Sequence, residues 1–134
     1  MPLVRIDVGE AVKREKKLLL ADAVYDAMRA TIGIPEGDEF VMLTAHADGE
    51  LIADPSFMGM TRTGEFVVVQ ITLRRGRSTE KKQALYREIA RLFEERTAIA
   101  PDNVMIVLTE NDLDDWSFGR GEAQYVLNPP AGAR

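Results

Sequence analysis

The chain begins with a period of two: Val4, Ile6 and Val8 alternate with Arg5 and Asp7, as in a strand with one buried face. A helical period follows. Leu20, Val24, Ala27 and Met28 fall on one face, and Gly33 suits the end of that helix. The stretch "EFVMLTAH" then reads as a second strand. The same succession recurs further along. "EFVVVQITL" is more continuously apolar, which predicts a central strand. Ser78 is placed to cap a second helix with Leu85, Ile89, Leu92 and Phe93 on its apolar face and Glu80, Lys82, Arg87 and Arg91 towards solvent. "NVMIVLTE" closes this half as a strand.

The recurrence is a true internal repeat. A shift of 65 positions, without gaps, lays Val4 on Val69, Ile6 on Ile71, "EKK" on "EKK", Leu20 on Leu85, Ile34 on Ile99 and Leu43-Thr44 on Leu108-Thr109. Each copy is a strand–helix–strand unit, whose right-handed crossover makes its two strands parallel. Two copies, about 2–46 and 67–111, predict an α+β fold: a four-stranded sheet with both helices on one face. The whole of 1–134 is one domain, with a C-terminal segment at 112–134. Asp48-Gly49 predicts a turn in the stretch between the copies, and "DLDDWSFGRGEAQYVL" a short hairpin after them. The sheet's other face has no helical cover from this chain, which predicts association of subunits.

Composition narrows the chemistry. Of 134 residues 46% are hydrophobic and 29% charged, so an ordered globular domain is expected, with disorder at most in the "NPPAGAR" tail. A net charge of −5 gives no general attraction to nucleic acid or an anionic membrane. The absence of cysteine removes disulfides, thiolate catalysis and thiol-ligated zinc. A lone histidine, His46, builds neither a histidine-rich metal site nor a triad, and reads as structural or exposed. Asp114 and Asp115 read as turn residues. The longest apolar runs are too short for a membrane span or a secretory signal. The expectation is a soluble cytoplasmic protein with no metal and no cofactor.

What remains is the chain start. Removal of Met1 would leave Pro2 with a free secondary amine, and a chain-terminal amine titrates at about 7.7–8.0 before perturbation. Arg75 and Arg77, two apart on extended chain, would point the same way and could grip a carboxylate. The repeat supplies a control: Pro2 aligns with Val67, Asp38 with Asn103, and Arg75 and Arg77 with Glu10 and Val12. The chemistry sits in one copy of each position, so one site per subunit is expected.

Pro2 opening a strand, the doubled unit, the "RGRS" that precedes the second helix, and "WSFGRG" together resemble the tautomerase superfamily, whose members use an amino-terminal proline. Within it the chain is most similar to the malonate semialdehyde decarboxylase group, from Pro2 to about Val126. The resemblance implies a homotrimer of fused two-unit subunits with a mixed sheet. It also implies catalytic roles for Pro2, Asp38, Arg75 and Arg77, and an aromatic wall of Trp116 and Phe118, with Tyr125 as a further aromatic. Arg74 is an additional candidate for binding the substrate. The implied reaction is decarboxylation of a small 3-oxo acid. The same site could instead tautomerise 2-oxo acids, or hydrate or dehalogenate unsaturated acids. With Met1 retained, the Pro2 nitrogen is an amide, and a non-catalytic trimer is the remaining reading.

Overall fold

The computed structural model describes residues 1–131. Both repeat units form. In the first, β1 (Leu3–Gly9) leads into α1 (Arg14–Ile32) and returns as β2 (Val41–His46). In the second, β3 (Val67–Arg74) leads into α2 (Thr79–Thr97) and returns as β4 (Val104–Asn111). The sheet runs β2-β1-β3-β4. Each unit is internally parallel, and the two meet antiparallel between β1 and β3. The apolar run of β3 is therefore central, as its composition requires, and β1 is its central partner.

The register exposes the symmetry of the repeat. Arg5 pairs with Gln70, its own counterpart, while Val4 pairs with Ile71 and Ile6 with Val69. A pseudo-twofold axis thus passes through the Arg5–Gln70 pair, and whatever the first copy builds at one end of the sheet has an image at the other. Inward residues Val4, Ile6, Val8, Val69, Ile71 and Leu73 pack under Leu20, Val24, Met28, Leu85, Ile89 and Phe93, all essentially inaccessible. Burial of each such side chain contributes roughly 1.5–3 kcal/mol.

The helix ends repeat too. Gly33 closes α1 in the left-handed region at φ 69°, and its counterpart Ala98 closes α2 at φ 60°. A side chain there costs roughly 1–2 kcal/mol, which the Ala98 N–H bond to the Glu94 carbonyl (2.9 Å) helps offset. Ser78 caps α2, its Oγ accepting from the Lys81 N–H at 3.2 Å. The Asp48-Gly49 turn forms, with the Glu50 N–H donating to the Ala47 carbonyl.

The face away from the helices is open in the single chain and carries exposed Met42, Met105 and Val107. On it Asp7 is buried between Arg5 (Nε–Oδ2 3.0 Å) and His46 (Nε2–Oδ1 2.6 Å). Burial alone would raise the Asp7 pKa, but the Arg5 and His46 hydrogen bonds outweigh it and hold the carboxyl below its usual range. His46 is thus held against Asp7.

The C-terminal hairpin is smaller than the sequence suggested. It is one antiparallel bridge, Gly119 to Glu122, across Arg120 and Gly121, which both have positive φ (61° and 66°) as a primed two-residue turn needs. A single helical turn at Leu113–Asp115 precedes it and α3 (Gln124–Leu127) follows. The last three residues of the tail expected to lack order, 132–134, lie outside the described residues. Among the described residues no helix is long and apolar enough to cross a membrane.

Candidate active site

The chain start lies at the end of the sheet where β1 begins and β3 finishes. Val4 N–H bonds the Phe40 carbonyl (2.9 Å), which lays the first residues beside the segment that enters β2. That segment carries Asp38, placed by a turn in which the Asp38 N–H reaches the Pro35 carbonyl and the Tyr25 hydroxyl accepts from the Gly37 N–H. Asp38 is only 8% exposed, and its Oδ2 lies 3.7 Å from the Met1 amine. Its Oδ1 is buried with no hydrogen-bond partner among the described residues. A buried carboxylate oxygen without a protein partner is free to accept from a water or a ligand.

Two arginines complete the surroundings. Burial lowers the Met1 amine's pKa most; Asp38 opposes that, while Arg77 and Arg74 add to it. Arg77 is itself half-buried, and burial followed by the nearby Arg74 charge lowers its pKa. Its Nη1 donates to the Arg74 carbonyl (3.1 Å).

Arg75 stands apart from the expected pair. β3 ends at Arg74, and Gly76 turns the chain at φ 126°, so the extended geometry that would align Arg75 with Arg77 is absent. Arg75 Nε instead donates to Asp112 Oδ1 at 3.0 Å, with both side chains well exposed, and that contact raises its pKa. The guanidinium groups that act on the amine are those of Arg74 and Arg77.

The aromatic residues gather as expected. Phe118 stacks on Trp116 (5.5 Å between centroids) and on Phe40 (6.5 Å), and meets Tyr125 edge-on (4.9 Å). Trp116 Nε1 donates to Asn111 Oδ1 (2.8 Å), and Gln124 clamps the loop by accepting from the Phe118 N–H and donating to the Gly119 carbonyl. The Tyr125 phenol is pushed up by burial first and then by Asp38.

Cavities flank the chain start on several sides. One of about 590 Å³ is lined by Asp38, Arg74, Arg77, Lys81 and Tyr125. Another, about 410 Å³, is lined by Pro2, Phe40, Thr72, Trp116 and Phe118. Sequence reasoning missed Phe40, Lys81, Asn111 and Gln124. Phe40, two residues after Asp38 in "DEF", carried the only usable signal.

The image end of the sheet is built differently. Asn103, the counterpart of Asp38, is buried and satisfied: its Oδ1 accepts from the Thr63 N–H (2.8 Å) and its Nδ2 donates to Thr63 Oγ1 (2.9 Å). The stretch between the copies occupies that place, beside a cavity of about 720 Å³ lined by Glu10, Lys13, Asp48, Arg62 and Phe66. The same sheet position is closed by the chain in one copy and left open in the other.

A family model described as a tautomerase enzyme matches residues 38–119. The chain belongs to the tautomerase superfamily and is an isomerase- or lyase-type enzyme. Within the superfamily it falls with the malonate semialdehyde decarboxylases. The crystal structure of FG41 malonate semialdehyde decarboxylase inhibited by 3-bromopropiolate matches at 37% identity and a TM-score of 0.90, over 96% of this chain and 98% of that one. A second malonate semialdehyde decarboxylase, described with decarboxylase and hydratase activities, matches at 30% identity and a TM-score of 0.87, covering 93% and 96% of the two chains. The probable tautomerase YusQ of Bacillus subtilis is 32% identical over 94% of this chain and 99% of its own length.

Proposed function

We propose that the protein, once Met1 is removed, decarboxylates a small 3-oxo acid without a cofactor. The observation that carries this reading is the buried Asp38 carboxylate, open at Oδ1, beside the chain-start amine and flanked by Arg74 and Arg77. Two similar solved decarboxylases favour the same reaction.

In this mechanism Arg74 and Arg77 hold the substrate carboxylate, which turns it out of the carbonyl plane and aligns the bond that breaks. Asp38 favours the charged form of the Pro2 amine. The ammonium donates to the carbonyl oxygen, takes up the negative charge that develops as carbon dioxide leaves, and returns a proton to carbon. The open sheet face, with its exposed methionines, is covered in a homotrimer; a fused 4-OT protein that shares the fold is described as a symmetric trimer.

Asp38→Asn tests the proton's role. Losing the carboxylate removes an influence that raises the amine pKa, so the alkaline limb of the kcat/KM profile is expected to move to lower pH. An unmoved limb would assign the titration to another group.

The reaction itself is tested by supplying malonate semialdehyde and phenylpyruvate to Met1-free protein. Carbon dioxide release is followed for the first and enol–keto conversion for the second. Decarboxylation is expected to have the larger kcat/KM. The reverse ranking would favour tautomerisation at the same site, the activity named for the Bacillus relatives.

A further inference from the structure

Met1 borders the cationic cavity, the aromatic chamber and a third hollow of about 450 Å³ between Phe118, Tyr125 and Leu127. Its removal, on which the proposed reaction depends, would join these spaces into one cleft beside Pro2, which lines the aromatic chamber. The cleft has two unlike ends. The cations Arg74, Arg77 and Lys81 lie with Asp38 at one end, and Asp115 is a charged side chain lining the other. The other end is the 410 Å³ chamber walled by Leu3, Phe40, Trp116 and Phe118.

Part of the chamber's polar lining is spent on the protein. Asn111 Oδ1 accepts from Trp116, and Asp115 Oδ2 accepts from the Asp112 N–H at 2.8 Å. Its aromatic walls are not spent within the single chain: Phe40 is 46% exposed and Phe118 38%, surface that an apolar occupant would cover. A three-carbon oxo acid needs only about 180 Å³ when each heavy atom takes the share of a water molecule, about 30 Å³. Held by its carboxylate at the arginines and by its carbonyl at Pro2, such an acid leaves the chamber empty.

We propose that the substrate is a 3-oxo acid whose carbonyl carries an apolar substituent, a branched alkyl or phenyl group that fills the chamber of Phe40, Trp116 and Phe118. This rests on the decarboxylase reading and narrows its substrate from an aldehyde to a ketone. In the reaction the bond between the carboxylate carbon and C2 breaks, and carbon dioxide leaves. The electron pair moves into the enolate, whose oxygen is bonded by the Pro2 ammonium. C2 takes a proton from that ammonium, which solvent recharges. One 3-oxo carboxylate and one proton give one methyl ketone and one carbon dioxide.

Trp116 is the chain's single tryptophan, so its emission reports chamber occupancy without any turnover. Titration of Met1-free protein with 3-phenylpropionate is expected to shift that emission, with a Kd at least tenfold below that of propionate. Equal affinities, or no emission change with either acid, would overturn the proposal. In turnover, benzoylacetate and 4-methyl-3-oxopentanoate, corrected for spontaneous loss of carbon dioxide, are expected to exceed malonate semialdehyde in kcat/KM by roughly 10- to 100-fold. Thr72→Phe, which occupies the chamber, is expected to reduce that ratio at least tenfold; the ratio cancels any loss of folded protein. A wild-type ratio at or below one overturns the substituent while leaving the decarboxylase reading standing. Absence of decarboxylation with every acid, alongside tight 3-phenylpropionate binding at Trp116, would instead overturn the reaction and keep the chamber's apolar preference.

Discussion

Protein that retains Met1 is expected to show no turnover above background, and Met1-free Pro2→Ala to lose roughly 10²–10⁴-fold in kcat/KM. Two effects act in the retained chain. Its Pro2 nitrogen is an amide, with no lone pair to take a proton and no proton to give. The Met1 side chain also stands among the three cavities that the substrate needs as one. The Met1 amine, although 3.7 Å from Asp38, is no substitute. It is displaced by one residue, about 3.8 Å along the chain, and a misplacement of about 1 Å can already cost 100-fold.

The alanine variant separates the amine from its ring. It keeps a terminal amine of similar basicity but loses the pyrrolidine that fixes its direction, so its deficit measures orientation. Intact mass assigns the Met1 state of each sample before kinetics are compared. Equal specific activity in the Met1-retaining and Met1-free fractions would remove Pro2 from the mechanism.

Much of this was legible beforehand because periodicity and repetition survive without coordinates. The 65-residue shift fixed which strands pair in parallel, and the Arg5–Gln70 register then follows from joining two like units back to back. The difference between the two ends was also legible, since Asp38 aligns with Asn103 in the repeat, but its physical basis was not. Only the structure brings Thr63, forty residues away in sequence, onto both polar atoms of Asn103. The aromatic chamber was half legible. "WSF" announced two walls, whereas Phe40 arrives through the Val4–Phe40 backbone bond, a contact no local pattern encodes.

The arginine run is where local reasoning went astray, and it yields the second large effect. Arg74→Ala and Arg77→Ala are each expected to lower kcat/KM by roughly 30-fold to several thousand-fold, the usual cost of truncating one partner of a buried, hydrogen-bonded charge pair. Arg75→Ala is expected to change it by less than about fivefold, since an exposed pair such as Arg75–Asp112 contributes little. Spacing alone favoured Arg75 with Arg77 because alternate residues of a strand share a face. That rule lapses where the strand stops, and here it stops at Arg74, two residues before the glycine whose φ of 126° swings Arg77 back to the Arg74 carbonyl. The division between constants is informative as well. Loss of plain carboxylate binding raises KM alone, whereas a share in twisting the carboxylate out of plane lowers kcat too. A deficit in Arg75→Ala equal to that in Arg77→Ala would mean that Arg75 leaves Asp112 when substrate binds, and the carboxylate would then be gripped by a different pair of guanidinium groups.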